Sequence, residues 1–446
     1  GGMAGLPEGS TADDAAALLS GLMSRHAALR MQLRDDGAGG LCQEIAGSGQ
    51  AGLDILTAPD DAGQDDIERY ATGLMDTWPE ERFDFHRDWP LRMAVIRHRG
   101  ACVQLIWVLS HLAADGGGHL LFLADLLAAQ SAAQSAEGAP AQPGSAQPGR
   151  AQITDVARSE QTPELRQLSG RTMRFWQSQL ASIPAQTFGE PAEPAAPPTG
   201  RAEPRYWQAR FSSPAAHLAM LAIAERTGTD ASRVALGVIA TAIARATGVH
   251  PLTVKVMMNN RFRAGLADVI APIAQNSVVT IDVADSTVDE VVVRARGASL
   301  TAGMRAYYDP DDLAEVTGRL DAERGYPAQV TCRVNDQRAM IMRADAAAAG
   351  GEVTAERISE RLAESALTWI GQKQYMHEQA SILIENRPDV VSLYILWDRW
   401  SLTDQQVEAI LRGVEQVAVE AAFDPAAPTG IVSASLATTP AVPDPA

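Results

Sequence analysis

The stretch Ser110-His111-Leu112-Ala113-Ala114-Asp115-Gly116-Gly117 decides how this chain is interpreted. It places an imidazole and a carboxylate four residues apart, where a strongly apolar run gives way to glycines. Residues 101–109 (ACVQLIWVL) are rich in Val, Leu and Ile and too short for a typical helix, which predicts a buried strand. Residues 119–127 (HLLFLADLL) predict a buried helix. The stretch is therefore expected to form a loop between a strand end and a helix start.

Local patterns predict helices and strands in both halves of the chain. The first helix is expected to be capped by Ser10, with Asp13 three residues on. Further helices are predicted over residues 214–226, 232–247 and 404–420, and strands over 253–258 and 278–283. This mixture predicts an α/β fold, and 446 residues exceed what one hydrophobic core usually supports. Two large lobes are therefore expected.

Composition excludes several classes of function. The net charge of −18, from 55 acidic and 37 basic residues, argues against nucleic-acid or membrane partners, since both need a basic surface. Three cysteines without metal-type spacing predict neither a disulfide framework nor a zinc site, and they fit a reducing cytoplasm. No signal peptide or membrane span is expected. We expect a cytoplasmic monomer, and any surface for an acidic partner must be a local arginine cluster.

The chain resembles the condensation domains of non-ribosomal peptide synthesis, in the chloramphenicol-acetyltransferase-like superfamily. The family motif is His-His-x-x-x-Asp-Gly, and here it takes the form SHLAADG over residues 110–116. His111 is therefore the second motif histidine, whereas Ser110 replaces the first. Other family motifs occur in the family's order: Arg25-His26-x-x-Leu29-Arg30, Phe83-Asp84 before Pro90-Leu91-Arg92, Asp125-Leu126, Phe175-Trp176, and Asn260-Arg261 followed by Asn276.

The resemblance implies two acetyltransferase-like lobes in a V-shaped arrangement, with the active site in a tunnel between them. We predict an N-terminal lobe over residues 1–180 and a C-terminal lobe over residues 181–425. Three segments with few bulky apolar residues or many prolines are expected not to pack: a flexible loop over residues 128–152, a proline-rich crossing over 190–204, and a disordered tail over 426–446.

The activity that the resemblance implies is acyl transfer. A condensation domain joins an acyl or peptidyl thioester on a carrier protein to an amine, or less often a hydroxyl, in non-ribosomal peptide or hybrid natural-product biosynthesis. The acceptor is carried by a second carrier protein or is a free small molecule. Carrier-bound substrates are attached through the phosphopantetheine of the carrier protein. Neither a bound cofactor nor a metal is therefore expected in this chain. The attacking group must lose a proton, and an imidazole suits that task at neutral pH, which makes His111 the candidate catalytic residue.

Two alternatives to this function stay open. The chain could be a catalytically degenerate member that recruits tailoring oxygenases, as some condensation-like domains do. It could also be a wax-ester or polyketide-associated acyltransferase of the same superfamily. From the loop alone, His111 could be a partly buried structural histidine. The sequence also leaves open whether the chain is free-standing or part of a synthetase.

The remaining motif residues have supporting roles by resemblance. Asp115 is expected to form a structural ion pair with Arg261 that joins the two lobes, and not to transfer protons. Gly116 is expected to allow a tight turn and to offer a backbone N–H to an oxyanion. Ser110 is expected to support the loop or to have no task. Asn276 is expected to be a turn residue or a hydrogen-bonding residue near the tunnel.

Two departures from the family affect these expectations. The family commonly has a larger residue and then serine where Gly117 and Gly118 stand, so a looser loop is expected. The family also usually has a Ser-x-x-Gln-x-x-x-Trp element and a first strand before the motif at Arg25. Too few residues precede Arg25 to hold both, so either this segment was left out of the sequence or this member lacks it. If this member lacks it, the N-terminal lobe is expected to have one strand fewer.

Overall fold

A computed structural model describes residues 1–78, 81–135, 150–189, 204–327, 329–338 and 352–433. The chain divides into two compact units. The first unit is Gly1–Leu165 with Asn259–Ala274, and the second is Arg166–Met258 with Gln275–Ala446. The segment Asn259–Ala274 thus belongs to the first unit, although the residues that flank it in sequence belong to the second.

The first unit contains a four-stranded sheet and helices. Its helices are α1 (Ala12–Arg25), α2 (Gln64–Thr77), α3 (Gly116–Ser135) and α4 (Ile153–Glu160). Its strands are β1 (Gly2–Gly5), β2 (Met31–Asp35), β3 (Leu41–Ile45), β4 (Asp54–Thr57), β5 (Leu91–His98) and β6 (Ala101–Leu109). The sheet has the order β1-β6-β5-β4, in which only β4 and β5 are parallel, and β2 and β3 form a separate antiparallel pair.

Strand β6 is one of the two inner strands of the four-stranded sheet, and the predicted strand over residues 101–109 is confirmed. Trp107 and Leu105 contribute to the core that α1 and α3 cover, together with Leu22. Ile106 points to the opposite face, where α2 packs. Because both faces of the strand are covered, its sequence is almost continuously apolar instead of alternating.

The bounds of two helices differ from the sequence-based prediction. Helix α3 begins at Gly116 and continues to Ser135, so the first part of the predicted flexible loop over residues 128–152 is helical. Ala and Gln dominate this part of the sequence, and both favour helix. The N-cap of α1 is Thr11, whose side chain accepts from the Asp14 N–H. The Asp14 carboxylate in turn accepts from the Thr11 N–H. The predicted Ser10–Asp13 cap is wrong by one residue.

The second unit contains seven helices and seven strands among its described residues. The helices are α5 (Pro163–Leu180, from Arg166 onward), α6 (Pro214–Thr227), α7 (Ala231–Thr247), α8 (Val288–Met304), α9 (Pro310–Arg324), α10 (Ala355–Arg361) and α11 (Asp404–Ala421). The strands are β7 (Tyr206–Ser213), β8 (Leu252–Met258), β9 (Gln275–Ile281), β10 (Cys332–Asp336), β11 (Ala366–Lys373), β12 (Ala380–Glu385) and β13 (Val391–Asp398). The predicted helices at α6, α7 and α11 and the predicted strands at β8 and β9 are confirmed.

The seven strands form one sheet in the order β11-β7-β13-β12-β10-β8-β9. One face is apolar and packs against α6, α7, α8 and α11 through residues such as Phe211, Val254 and Trp397. The alternate residues point to the opposite face. We call this side the polar face, and its central members are Gln208, Arg210, Lys255, Arg333, Asn335, Ser381 and Tyr394. Near β9 it is apolar, and Val278 packs there with residues of α5 and α9.

The division between the units differs from the predicted boundary at residue 180. Most of α5 belongs to the second unit, where Ser169 Oγ donates to Asp312 Oδ2 at 2.6 Å. Thr172 Oγ1 also donates to the Tyr307 carbonyl at 3.2 Å. These long-range contacts hold the helix, and no local pattern in its sequence reveals them.

The predicted unpacked segments lie largely outside the described residues. This holds for residues 136–149, 190–203 and 434–446. The described start of the tail is packed: Thr429 is 1% exposed, and its Oγ1 donates to the Val283 carbonyl at 2.7 Å. Among the helices that the structure describes, none has the length and apolar character needed to cross a membrane.

Candidate active site

Ser110 fixes the turn that follows β6. Its N–H donates to the Pro90 carbonyl at 2.8 Å, and its carbonyl accepts from the Ala113 N–H at 3.0 Å. Its hydroxyl accepts from the Leu112 N–H at 3.1 Å, a side-chain turn that serine commonly makes. The hydrogen bonds of Ser110 thus hold the backbone of the loop in place, although the family motif has histidine at this position.

His111 lies at the tip of this turn and is exposed. Ala113 and Ala114, which follow it, are buried in the core of the first unit. The loop is therefore anchored by small apolar side chains, while the imidazole remains accessible to a ligand. The residue is exposed, whereas a purely structural histidine would be buried among other side chains.

Asp115 is the N-cap of α3 and is 8% exposed. Its Oδ1 accepts from the Gly118 N–H at 2.8 Å, which satisfies one of the free donors of the first helical turn. Its Oδ2 accepts from the Ala274 N–H at 2.7 Å. A negative charge at a helix N-terminus is also favoured by the helix dipole.

Arg261 pairs with Asp115, with its Nη1 2.8 Å from Oδ1. Its Nη2 donates to the carbonyls of Val269 and Ala271, both at 3.1 Å. The guanidinium thereby ties the segment Asn259–Ala274 to the start of α3. Both partners belong to the first unit, whereas the sequence-based expectation placed them in different lobes. The difference arises because this segment leaves the sheet of the second unit between β8 and β9.

Gly117 and Gly118 leave room for the Arg261 guanidinium because they carry no side chain. A Cβ on Gly117 would lie 2.6 Å from Arg261 Nη1, and one on Gly118 would lie 3.2 Å from Nη2. Both glycines lie in the first turn of α3, so the expectation of a looser loop is wrong. Gly116 is the first residue of the same helix, and its N–H and that of Gly117 are donors without an intrahelical partner. The oxyanion role of Gly116 stays a prediction.

A methyl group at Gly117 is expected to displace Arg261. We predict that Gly117→Ala destabilises the first unit by about 1–3 kcal/mol, as overpacking does, measured by chemical unfolding. The matched control is Gly73→Ala in α2, where a Cβ meets nothing within 4 Å. That change is expected to stabilise by up to about 1 kcal/mol. Equal effects of the two substitutions would contradict the packing of Arg261 on Gly117.

His26 and Asp125, from two other family motifs, meet in a buried cluster. His26 Nε2 lies 2.8 Å from Asp125 Oδ2, and His26 is 2% exposed. Arg150 Nη1 is 2.5 Å from the same oxygen. Burial lowers the pKa of His26 to about 4, since the nearby carboxylate offsets only part of the desolvation. The cluster joins the end of α1 to α3, which agrees with a structural role for His26.

The lowered pKa of His26 predicts a pH dependence of stability. The unfolded state takes up a proton near pH 6.5 and the folded state only near pH 4. The free energy of unfolding is therefore expected to fall as the pH drops from about 6.5 to about 4, by about 3 kcal/mol in total from this residue. Chemical unfolding at pH 7, 6 and 5 should show a shallower loss in His26→Gln. His86→Gln, at an exposed histidine, should keep the parent's slope. Parallel curves for all three proteins would contradict this prediction.

A second imidazole lies near the candidate catalytic residue. Trp107 Nε1 donates to His119 Nε2 at 3.1 Å, so the neutral ring carries its proton on Nδ1. The pKa of His119 is lowered, first by burial, and charge on His111 lowers it further. The local sequence pattern indicates His119 only as the start of a helix. Its coupling to His111 depends on the packing of α3 against Trp107, which no local pattern shows.

Asn276 lies in β9, directly opposite Met257 of β8. The turn alternative for this residue is therefore wrong. Its Oδ1 is buried and has no hydrogen-bond partner among the residues that the structure describes. A buried acceptor without a donor is uncommon and costs free energy unless a ligand or water satisfies it. The described residues also contain no group of three His, Cys, Asp or Glu that could hold a metal ion.

Known proteins share the fold of this chain. A sequence profile of the Condensation domain matches residues 13–325. No curated protein sequence matches the chain. Among solved structures, one concerns condensation domain-mediated chain release from the enacyloxin polyketide synthase. It is 19% identical with a TM-score of 0.69, covering 100% of this chain and 80% of that chain.

Two further structures have similar folds. The SgcC5 protein from Streptomyces globisporus is 17% identical with a TM-score of 0.65, covering 94% of this chain and 91% of that chain. The X-domain from teicoplanin biosynthesis, in its complex with OxyB, is 20% identical with a TM-score of 0.62, covering 96% and 88%. The expected acetyltransferase-like α/β fold is confirmed by these neighbours, whereas the V-shaped arrangement and the tunnel stay predictions. The profile spans well over half of the sequence, and so the chain belongs to the condensation-domain family.

Proposed function

We propose that this protein is a condensation-type acyltransferase that uses His111. It would join a carrier-bound acyl or peptidyl thioester to an amine or hydroxyl acceptor in non-ribosomal peptide or hybrid natural-product biosynthesis. The observation that supports this most is the accessible imidazole of His111 on a loop fixed at both ends. Ser110 orders the turn before it, and Asp115 with Arg261 orders the helix start after it.

The chemical step requires one proton transfer from the acceptor. The acceptor nitrogen or oxygen bonds to the thioester carbonyl carbon while His111 takes or steers its proton. The carbon–sulfur bond then breaks, and the proton goes to the departing phosphopantetheine thiolate. The products are an amide or ester and a free thiol, so atoms and charge balance. The N–H groups of Gly116 and Gly117, at the positive end of α3, are the donors available for the oxyanion.

Positioning is expected to contribute as much as proton transfer. Carrier proteins deliver both reactants on phosphopantetheine arms, or one reactant when the acceptor is a free small molecule. Holding the two reacting atoms close converts a bimolecular step into an effectively unimolecular one. A mechanism with this division of labour tolerates Ser110 in place of the first motif histidine, because Ser110 retains the loop geometry.

A platform without catalytic activity is the second candidate function. The replacement of the first motif histidine by Ser110 supports it, as does the fold similarity to an X-domain solved with a bound OxyB. In that case His111 would be accessible without a reaction to perform. The wax-ester or polyketide-associated transferase would instead show activity toward hydroxyl acceptors alone.

The test is product formation by the intact protein. A carrier protein loaded with an acyl group is mixed with amine or alcohol acceptors, free or carrier-bound, and intact-protein mass spectrometry follows the carrier masses. Acyl loss matched by a new amide or ester product supports transfer. Thioester consumption no faster than without the protein, across both acceptor classes, would overturn the proposal and favour the platform.

A further inference from the structure

The polar face of the seven-stranded sheet holds two cations side by side. Arg333 of β10 and Lys255 of β8 are direct partners in a parallel strand pair. Paired residues point to the same face, so the two positive side chains are neighbours. Like charges directly opposite each other in a sheet are destabilising. The pair therefore needs negative charge beside it.

Glu378 supplies part of that charge. Its Oε1 lies 3.5 Å from Lys255 Nζ and 4.0 Å from Arg333 Nε, and its side chain is only 11% exposed. Arg333 also donates from Nε and Nη2 to the Ser381 hydroxyl, at 3.2 and 3.1 Å. One carboxylate against two cations leaves a net charge of about +1 in this cluster. We call these four residues the cation cluster.

The remaining positive charge is not neutralised by its neighbours on the sheet. The row that contains Lys255 and Arg333 continues through Ser381 to Leu396 and Gln208, none of which is charged. Beyond them, Arg210 is engaged by the Glu385 carboxylate through two hydrogen bonds. The charge in the cluster thus stays available to a ligand.

The cluster is accessible but partly dehydrated. The side chains of Lys255 and Arg333 are 25% and 35% exposed, so an incoming anion can reach both. Partial burial weakens the screening by water and strengthens attraction between charges. The chain as a whole carries a net charge of −18. A local excess of positive charge in a half-buried position therefore indicates a site that binds an anionic group.

A second observation on the same face points to a ligand. Asn276 is opposite Met257, which lies two residues after Lys255 on β8. Its buried Oδ1 lacks a hydrogen-bond donor among the described residues. A ligand that carries an N–H or O–H group close to its anionic group would satisfy both features.

We propose that Lys255 and Arg333 bind an oxyanion group of the substrate, a carboxylate or a phosphate, and that Asn276 accepts a hydrogen bond from a neighbouring N–H or O–H of the same ligand. A carboxylate would belong to the acceptor, and a phosphate would belong to the phosphopantetheine arm. The ligand's identity as substrate rests on the proposed acyl transfer. Binding itself does not, so each can fail without the other.

Methyl NMR of the full chain labelled at methionine methyls tests this site. Met257 is the reporter, since it shares the polar face with Lys255, and Met257→Leu assigns its signal. The protein is titrated with benzoate and, as its neutral counterpart, benzamide. In parallel it is titrated with 4′-phosphopantetheine and with pantetheine. No turnover is required.

The anionic probe of one pair or of both is expected to shift the Met257 signal with saturation, while its neutral counterpart shifts it little. A response to benzoate assigns the site to an acceptor carboxylate, and a response to 4′-phosphopantetheine assigns it to the carrier arm. Arg333→Gln and Lys255→Gln are each expected to raise the Kd by about tenfold or more, as loss of a charged hydrogen bond does. Arg333→Lys, which keeps the charge, should recover part of the affinity.

The control variant is Arg319→Gln, which removes one positive charge from an exposed ion pair on α9. It should bind the anions as the parent does. Each variant counts as folded when its other methionine methyl signals keep the positions that they have in the parent spectrum. No preference for anionic over neutral probes at Met257 would overturn the proposal. It would equally be overturned if folded Arg333→Gln and Lys255→Gln bound the anions like the parent.

Discussion

Replacing His111 with alanine is expected to lower the rate of acyl transfer by roughly 100- to 10,000-fold, the usual contribution of general acid–base catalysis. The reason is chemical and not structural. The ring is exposed at the tip of a turn, so its removal leaves no cavity, and the backbone is held by Ser110 and by Asp115. The measurement is the rate of carrier-bound product formation by mass spectrometry, together with the unfolding midpoint.

The matched control is His86→Ala, at another exposed histidine of the first unit. It should leave both the rate and the stability unchanged. A His111→Ala variant that turns over like the parent would show that transfer does not depend on this imidazole. A variant that loses activity together with stability would place His111 in the fold instead of in the chemistry.

Local sequence patterns predicted the features that depend on neighbouring residues. The strand β6 and the turn after it follow from a nine-residue run that is apolar except for Gln104 and that ends in a polar loop. The helices α6, α7 and α11 follow from caps and apolar periodicity, and α7 ends where Gly248 adopts a left-handed conformation with φ 75°. Such signals act over a few residues, so they can be read without tertiary structure.

The family resemblance predicted a contact that local patterns could not. Asp115 and Arg261 are 146 residues apart in sequence, yet the structure pairs them. The role of Gly117 and Gly118 was missed because it depends on the shape of the Arg261 guanidinium against their bare backbone. Glycine next to a tight loop suggests that the backbone needs conformational freedom. Here the absence of a side chain leaves space for the Arg261 guanidinium.

The cation cluster was missed for a related reason. Lys255, Arg333 and Glu378 occur singly in the sequence, and none belongs to a motif. Only the order of strands β8 and β10 in the sheet brings the two cations together. Strand order is determined by long-range packing, so a charge cluster across neighbouring strands cannot be recognised from spacing along the chain.

The Asp115–Arg261 pair is expected to have the largest effect on stability. Asp115→Ala should lower the free energy of unfolding of the first unit by about 3–5 kcal/mol, because it leaves the Arg261 guanidinium buried without its counter-charge. Side chains of both residues are about one-tenth exposed, at 10% and 11%, so solvent screens this pair little. Chemical unfolding of the full chain, followed by the fluorescence of its tryptophans, measures the change.

Asp115→Asn separates the two tasks of this carboxylate. Asparagine is as good an N-cap as aspartate, so the bond from the Gly118 N–H can persist while the charge is lost. Asp115→Asn should therefore be less destabilising than Asp115→Ala by about 1 kcal/mol, the usual contribution of a cap. Adding Arg261→Met to Asp115→Asn should cost less than the sum of the single changes, because each single variant buries an unpaired charge whereas the double variant buries none. Strictly additive effects would show that the two groups do not stabilise each other, and the loop that carries His111 would then need another anchor.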